Sequence, residues 1–139
     1  MYTSELIYQG NLRANATHLQ SGTVIETDAP IDNNGKGEKF SPTDLMATSL
    51  GSCALTVMAI EANRLGVNID GTCVQVKKIM GVNPRRVVGI EINMHVTHTG
   101  CSQTQQDKLI ETGLNCPVSK SLHPDLVQDF QFNFTERAQ

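Results

Sequence analysis

One segment constrains the fold more than any other. From Ser41 to Gly66 the chain reads SPTDLMATSLGSCALTVMAIEANRLG. It opens with helix-start chemistry. Ser41 suits an N-cap, Pro42 the first helical position, and Asp44 the third, where its charge complements the helix dipole. Gly66 suits the stop. Between these signals the apolar residues cover nearly the whole circumference. Met46, Leu50, Cys53, Val57 and Ile60 form one stripe at i, i+3 and i+4 spacing, broadened by Leu45, Ala54, Met58 and Leu65. Thr48, Ser52 and Thr56 form a row of small residues on another side, which admits close approach by a second element. A helix apolar on most sides must be covered from several directions. In a chain of 139 residues, a sheet contributed by each of two subunits is one way to cover it, which suggests an intertwined homodimer.

The rest of the chain alternates between strand and helix chemistry. Residues 3–28 are rich in Leu, Ile, Tyr, Thr and Val, with breaks at Gly10-Asn11 and Ser21-Gly22, the pattern of an antiparallel meander. Residues 29–40, APIDNNGKGEKF, form a polar, glycine-bearing loop. After the helix, the alternation in IEINMHV predicts a strand, with a hairpin connection from Gly81 to Pro84. CSQTQQDKLIETGLNC reads as a second helix capped by Ser102, PVSKSL as a short helical turn, and VQDFQFNF as a terminal strand with one aromatic face. The organisation predicts one α+β domain over residues 1–139, with mostly antiparallel sheets packed around long helices.

Composition excludes several function classes. A net charge of −3 and basic clusters no longer than Lys77-Lys78 and Arg85-Arg86 argue against a nucleic-acid or anionic-membrane partner. With no Trp and only 4% aromatic residues, stacking surfaces for single strands are scarce. The first residues, MYTSELIYQG, do not resemble a secretory signal, so a cytoplasmic location is expected. Thr48, Ser49, Gly51, Ser52, Thr56 and Glu61 interrupt the apolar segment, and no membrane span is expected.

There are four cysteines, Cys53, Cys73, Cys101 and Cys116, and no C-x-x-C pair. In a reducing compartment, scattered cysteines are usually small core residues. Periodicity alone places Cys53 on the most apolar stripe, as packing. Cys116, in LNCPVSK, ends a helix pattern just before Pro117. Free amides and Lys120 nearby would favour its thiolate, while a packing role stays open there too.

The pairing of SPTDLMATSLGSC with NCPVSK, in this order, resembles the OsmC/Ohr family of bacterial thiol peroxidases, and the resemblance covers most of the chain. It implies an intertwined α+β homodimer with central helices between sheets and active sites at the subunit interface. By motif position, Cys53 corresponds to the cysteine that attacks the hydroperoxide and Cys116 to the one that resolves the sulfenic acid as a disulfide. An external dithiol, lipoyl-type or other, would then restore the thiols. The implied cycle needs no metal or bound cofactor. An apolar pocket would favour organic hydroperoxides, whose tails gain burial energy.

An apolar site raises a thiol's pKa, so a cation must offset it. The resemblance supplies an arginine from the N-terminal strands, matched here by Arg13 in GNLRANATHLQSG, held in the family by a glutamate early in the central helix. This chain departs from that pattern, with Thr43 and Asp44 following the proline. Asp44 is one residue later, a rotation of about 100°, and one methylene shorter. It serves either as Arg13's partner or as a helix-start charge, and Glu38 is another candidate partner. The departure brings the chain closer to less characterised branches of the family. It also motivates an alternative function, a non-enzymatic redox-sensing or ligand-binding dimer.

The remaining candidates carry less. His95 and His98 lie near Cys101, but strand residues three apart face opposite ways, which disfavours a shared metal. His18 and His123 read as turn residues or lack a visible partner. Cys73 is expected in the core. Cys101, beside a helix cap, is oxidisable but has no resolving partner by motif.

Overall fold

The computed structural model describes residues 1–138, and they fall into two compact units, residues 1–46 and the residues from 47 onward. The first unit is a three-stranded antiparallel sheet in the order β1 (Ser4–Gly10), β2 (Arg13–His18), β3 (Val24–Asp28). Its two turns fall where the glycine-bearing breaks predict them. Asn11 and Leu12 adopt φ of 55° and 63° at the first. The loop that follows contains a short 3-10 turn at Ile31–Asn33, and α1 (Pro42–Leu65) begins in this unit. The cap of α1 is reciprocal. The Asp44 amide donates to Ser41 Oγ and the Ser41 amide to Asp44 Oδ2, both at 3.0 Å.

One face of this sheet carries a continuous apolar row. Register places Leu6 opposite Ala16, Ala16 opposite Ile25, and Tyr8 opposite Ala14. These five residues share one face. Leu6, Tyr8 and Ile25 are 60%, 65% and 48% exposed. Arg13, Asn15, Glu26 and Asp28 lie on the other face, together with the exposed Ile7 and Val24.

The second unit holds most of α1, the sheet β4 (Cys73–Gly81), β5 (Arg86–His98), β6 (Val127–Glu136), and two helices, α2 (Gln103–Leu114) and α3 (Pro117–Ser121). β4 and β5 pair antiparallel. β6 runs parallel to β5, the one parallel strand pairing among the described residues. A parallel return needs a long crossover, and α2 and α3 supply it. Ser102 caps α2, as the sequence predicts, and the structure adds a capping box with Gln105. The core is built from Leu50, Ala54 and Met58 of α1, Ile90, Ile92, Met94 and Val96 of β5, and Leu109 of α2, none more than 1% exposed. Each large member contributes roughly 1.5–3 kcal/mol by leaving water.

Two expectations about burial are corrected. The buried face of α1 is Ala47, Leu50, Gly51, Ala54, Met58 and Ala62, while Ile60 is 64% exposed and Met46, Cys53 and Val57 are half-buried. Close approach explains this. A Cβ at Gly51 would lie 2.8 Å from Val76 Cγ2 and 3.3 Å from Val74 Cγ1, so the seam follows the small residues rather than the bulkiest ones. Cys73 is exposed, because Val74 and Val76 take the inward positions of β4 and leave Cys73, Gln75 and Lys77 outward. By length and composition α1 is also apolar enough to cross a membrane. Small Thr, Ser and Gly residues lower its hydropathy little, and its apolar face is spent on the core of this unit.

Candidate functional site

α1 and the start of α3 bring two thiols together. Cys116 follows the end of α2 and caps α3, and it is fully buried, whereas Cys53 is half-buried on α1. Both are free thiols, and their side chains are hydrogen-bonded to each other. Burial pushes the Cys116 thiol above its ordinary pKa, and the bond to Cys53 adds to the rise. Two backbone amides oppose the rise, those of Ser119, 3.4 Å from Cys116 Sγ, and Val118. Lys120 does not take the part expected of it. It is exposed and its Nζ donates to Asn115 Oδ1 at 3.4 Å.

Ser119 is itself held. Its hydroxyl donates to Gln128 Oε1 at 2.5 Å, and Gln128 Nε2 donates back to the Ser119 carbonyl at 3.0 Å. Gln128 lies on the inward face of β6, next to the row Phe130, Phe132 and Phe134.

In the first unit, Arg13 meets Asp28 directly across β2 and β3. The pair is bidentate, with Nε to Oδ1 at 2.7 Å and Nη2 to Oδ2 at 2.8 Å. Glu38 Oε1 is 3.3 Å from Nη2 and Glu26 Oε2 is 3.7 Å from Nε. Asp28 is 1% exposed, and its Oδ2 also accepts the Glu38 amide at 3.2 Å. Arg13's hydrogen bond holds the Asp28 carboxyl below the usual carboxylate range, against the opposing effect of burial. Arg13 is raised above its ordinary value, first by the same hydrogen bond. The carboxylate that grips Arg13 is therefore Asp28, with Glu38 beside it, and Asp44 closes the helix cap. Sequence reasoning named Glu38 and missed Asp28. The observed hairpin is centred between Gln20 and Ser21 and sets residues 13 and 28 opposite one another, whereas a turn centred on the Ser21-Gly22 break would face Arg13 with Pro30, so the break alone did not supply the register.

A polar cleft of about 400 Å³ in this unit is lined by Arg13, Lys36, Gln9, Asn11, Asn15 and Glu26, among others. A second, of about 570 Å³, has Ile25, Phe40, Glu38 and Asp44 on its walls.

The remaining candidates have structural partners. His98 is buried, its Nδ1 accepts the Cys101 amide at 3.0 Å, and its ring sits 6.1 Å from that of Phe134. His95 is exposed and bonds Gln75 Oε1 at 3.0 Å. The two imidazoles thus part, as strand geometry requires. His18 pairs with Ser21 Oγ at 2.6 Å, and His123 Nδ1 accepts the Asp125 amide at 3.0 Å. Cys101 is buried, and burial raises its pKa. Among the described residues, no group of three or more His, Cys, Asp or Glu side chains is arranged to hold a metal.

The family model described as OsmC-like protein matches residues 35–128. A Psychrobacter arcticus structure, described as a candidate osmotic-stress-induced detoxification response protein, is 47% identical with a TM-score of 0.91, covering 96% of each chain. A Legionella pneumophila organic hydroperoxide resistance protein, OsmC, superposes with a TM-score of 0.67 at 16% identity, over 97% of this chain and 98% of that one. One from Elizabethkingia anophelis gives 0.67 at 17% identity, over 99% and 98%. At those identities the likeness is one of fold. No protein of curated function matches the sequence.

Proposed function

The chain belongs to the OsmC-like family, and on that premise we propose that it is a thiol-dependent peroxidase reducing organic hydroperoxides. The observation that carries this reading is the hydrogen bond between Cys53 and Cys116. Cys53 is the more accessible sulfur and Cys116 the buried one, which suits attack by the first and resolution by the second. The Cys53 thiolate attacks the terminal oxygen of ROOH. The O–O bond breaks, ROH departs, and Cys53 is left as sulfenic acid. The Cys116 sulfur then displaces water to form the disulfide, and an external dithiol, lipoyl-type or other, reduces it. Half-buried Val57, one turn beyond Cys53, favours substrates with an alkyl or aryl tail.

In this reading Arg13 supplies the cation, Asp28 and Glu38 orient it, and Asp44 holds the start of α1. The protein acts as a cytoplasmic homodimer of one OsmC-like domain per chain. The exposed Leu6, Tyr8 and Ile25 face supports the dimer. Reduced protein mixed with cumene hydroperoxide and dihydrolipoamide tests the activity. Wild type is expected to consume peroxide catalytically and Cys53→Ser not at all. Equal, slow consumption by both defeats the proposal.

One observation favours a second reading, a redox-sensing dimer without efficient turnover. Arg13 is surrounded by three carboxylates, Asp28, Glu38 and Glu26, which compensate much of its charge. That reading expects a stoichiometric Cys53–Cys116 disulfide and no steady-state consumption in the same assay.

A further inference from the structure

Cys116 is fully buried and Cys53 is half-buried. An external thiolate that reduces their disulfide therefore meets Cys53, and Cys116 must leave. A sulfur leaves faster the better its negative charge is stabilised. In this protein the stabilising groups are backbone amides rather than Lys120, and the amide of Ser119 is 3.4 Å from Cys116 Sγ. Ser119 is gripped at both ends by one side chain, since Gln128 accepts from its hydroxyl and donates to its carbonyl. With the residue fixed in this way, its amide has little freedom to turn from the sulfur. α3 spans only Pro117–Ser121 and is too short to hold that orientation alone.

We propose that Gln128 is a positioning residue for the redox cycle, holding Ser119 so that its amide receives the charge on Cys116 when the disulfide is reduced. The inference rests on the reading of Cys53 and Cys116 as a redox pair. The step balances as follows. One thiolate of an external dithiol bonds to Cys53 Sγ as the Cys53–Cys116 bond breaks, and that bond's electron pair leaves on Cys116. The dithiol's second thiolate then displaces Cys53 and closes the reductant's own disulfide. The two protons the dithiol gave up return to the protein sulfurs. The dithiol is oxidised by two electrons and the protein disulfide is reduced by two.

Two measurements test the proposal. The first is the thiolate absorbance of Cys116 against pH in a Cys53→Ala background, obtained as the difference from Cys53→Ala/Cys116→Ala. Adding Gln128→Met is expected to move the titration to higher pH, because an amide that favours the thiolate is released. The second is the rate at which dithiothreitol reduces the preformed disulfide in Gln128→Met and in wild type. Loss of one hydrogen bond to a charged sulfur predicts slowing of roughly tenfold. Ser119→Ala, which cuts the hydroxyl link but keeps the amide, should move both readouts in the same direction by less, and it decides the matter should Gln128→Met not fold. Gln131→Met, on the outward face of the same strand, should move neither. Titration and rate both unchanged in Gln128→Met, whatever its melting temperature, overturn the proposal. If wild type forms no Cys53–Cys116 disulfide, the peroxidase reading fails instead, and the titration alone decides the role of Gln128.

Discussion

The Cys116 thiol, fully buried at the start of α3, is hydrogen-bonded to the Cys53 thiol on α1, and that bond helps to hold the proton on Cys116. Burial raises the Cys116 pKa first, and Cys53 raises it further by hydrogen bonding and by charge. Removing Cys53 takes away the second influence and leaves the first. Cys116 is therefore expected to ionise at lower pH in Cys53→Ala than in wild type. Thiolate absorbance across an alkaline titration, referenced to the matching Cys116→Ala proteins, reads this directly. An unchanged or upward-moved midpoint would contradict the contact. The linkage has a sign as well. A thiol whose folded pKa is raised contributes stability at neutral pH that is lost as pH rises through the folded value.

Much of this arrangement is written in local signals, and the rest depends on contacts the sequence does not display. Ser41 and Gly66 bound α1 and Ser102 begins α2, because caps act within one turn. The inward row of β6 follows from its alternation. Cys73 was equally readable, since it alternates with Val74 and Val76 and in phase with Gln75 and Lys77, which sends it outward. The buried face of α1 was not readable from hydrophobicity. Gly51 sets the seam by allowing Val74 and Val76 to approach, and that is a property of the opposing sheet. The grip of Asp28 on Arg13 depends on strand register, and the meeting of Cys53 with Cys116 depends on a crossover. Motif order pointed to both thiols without showing their contact.

Arg13 and Asp28 should make the first unit acid-sensitive. Asp28 is buried, and Arg13's hydrogen bond holds its carboxyl below the ordinary range. A depressed carboxylate contributes stability that is full above its unfolded pKa, about 3.9, and is lost as pH falls through the lower folded value. Urea unfolding midpoints of wild type should therefore drop on acidification below about pH 4. Asp28→Asn should be less stable at neutral pH and show a flatter acid limb, since it has no carboxyl to titrate there. Parallel acid limbs for the two proteins would remove Asp28 from this role.

Gly51 is expected to tolerate no side chain. Replacing glycine with alanine inside a helix ordinarily gains up to about 1 kcal/mol. Here the new Cβ would sit 2.8 Å from Val76 Cγ2, and valine in a paired strand has little rotamer freedom to yield. Overpacking of this kind costs about 1–3 kcal/mol, so Gly51→Ala should be net destabilised by roughly 1 kcal/mol. Gly113 is the internal comparison. A Cβ there would meet Met58 Sδ at 2.7 Å, and the flexible methionine can move aside. Chemical denaturation should rank Gly113→Ala above Gly51→Ala, and the reverse order would mean that the α1 seam on β4 is looser than these distances imply.

The last expectation concerns the apolar face of the β1–β3 sheet. Leu6 and Tyr8 on β1, Ala14 and Ala16 on β2, and Ile25 on β3 point the same way, with the three large side chains about half exposed or more. Cross-strand neighbours of this kind form one continuous patch, and a patch left in water is a cost that association removes. A two-fold interface uses each residue twice, so a single charge placed there is buried twice. Leu6→Glu or Ile25→Glu forfeits roughly 1.5–3 kcal/mol of apolar burial per copy and adds the desolvation of a carboxylate. Light scattering coupled to gel filtration should give a dimer for wild type and a shift toward monomer for either variant. Glu5→Gln, on the opposite face of β1, should leave the dimer intact. A wild-type mass of one chain at micromolar concentration would dispose of the interface, and dimers that survive both glutamates would place it elsewhere on the molecule.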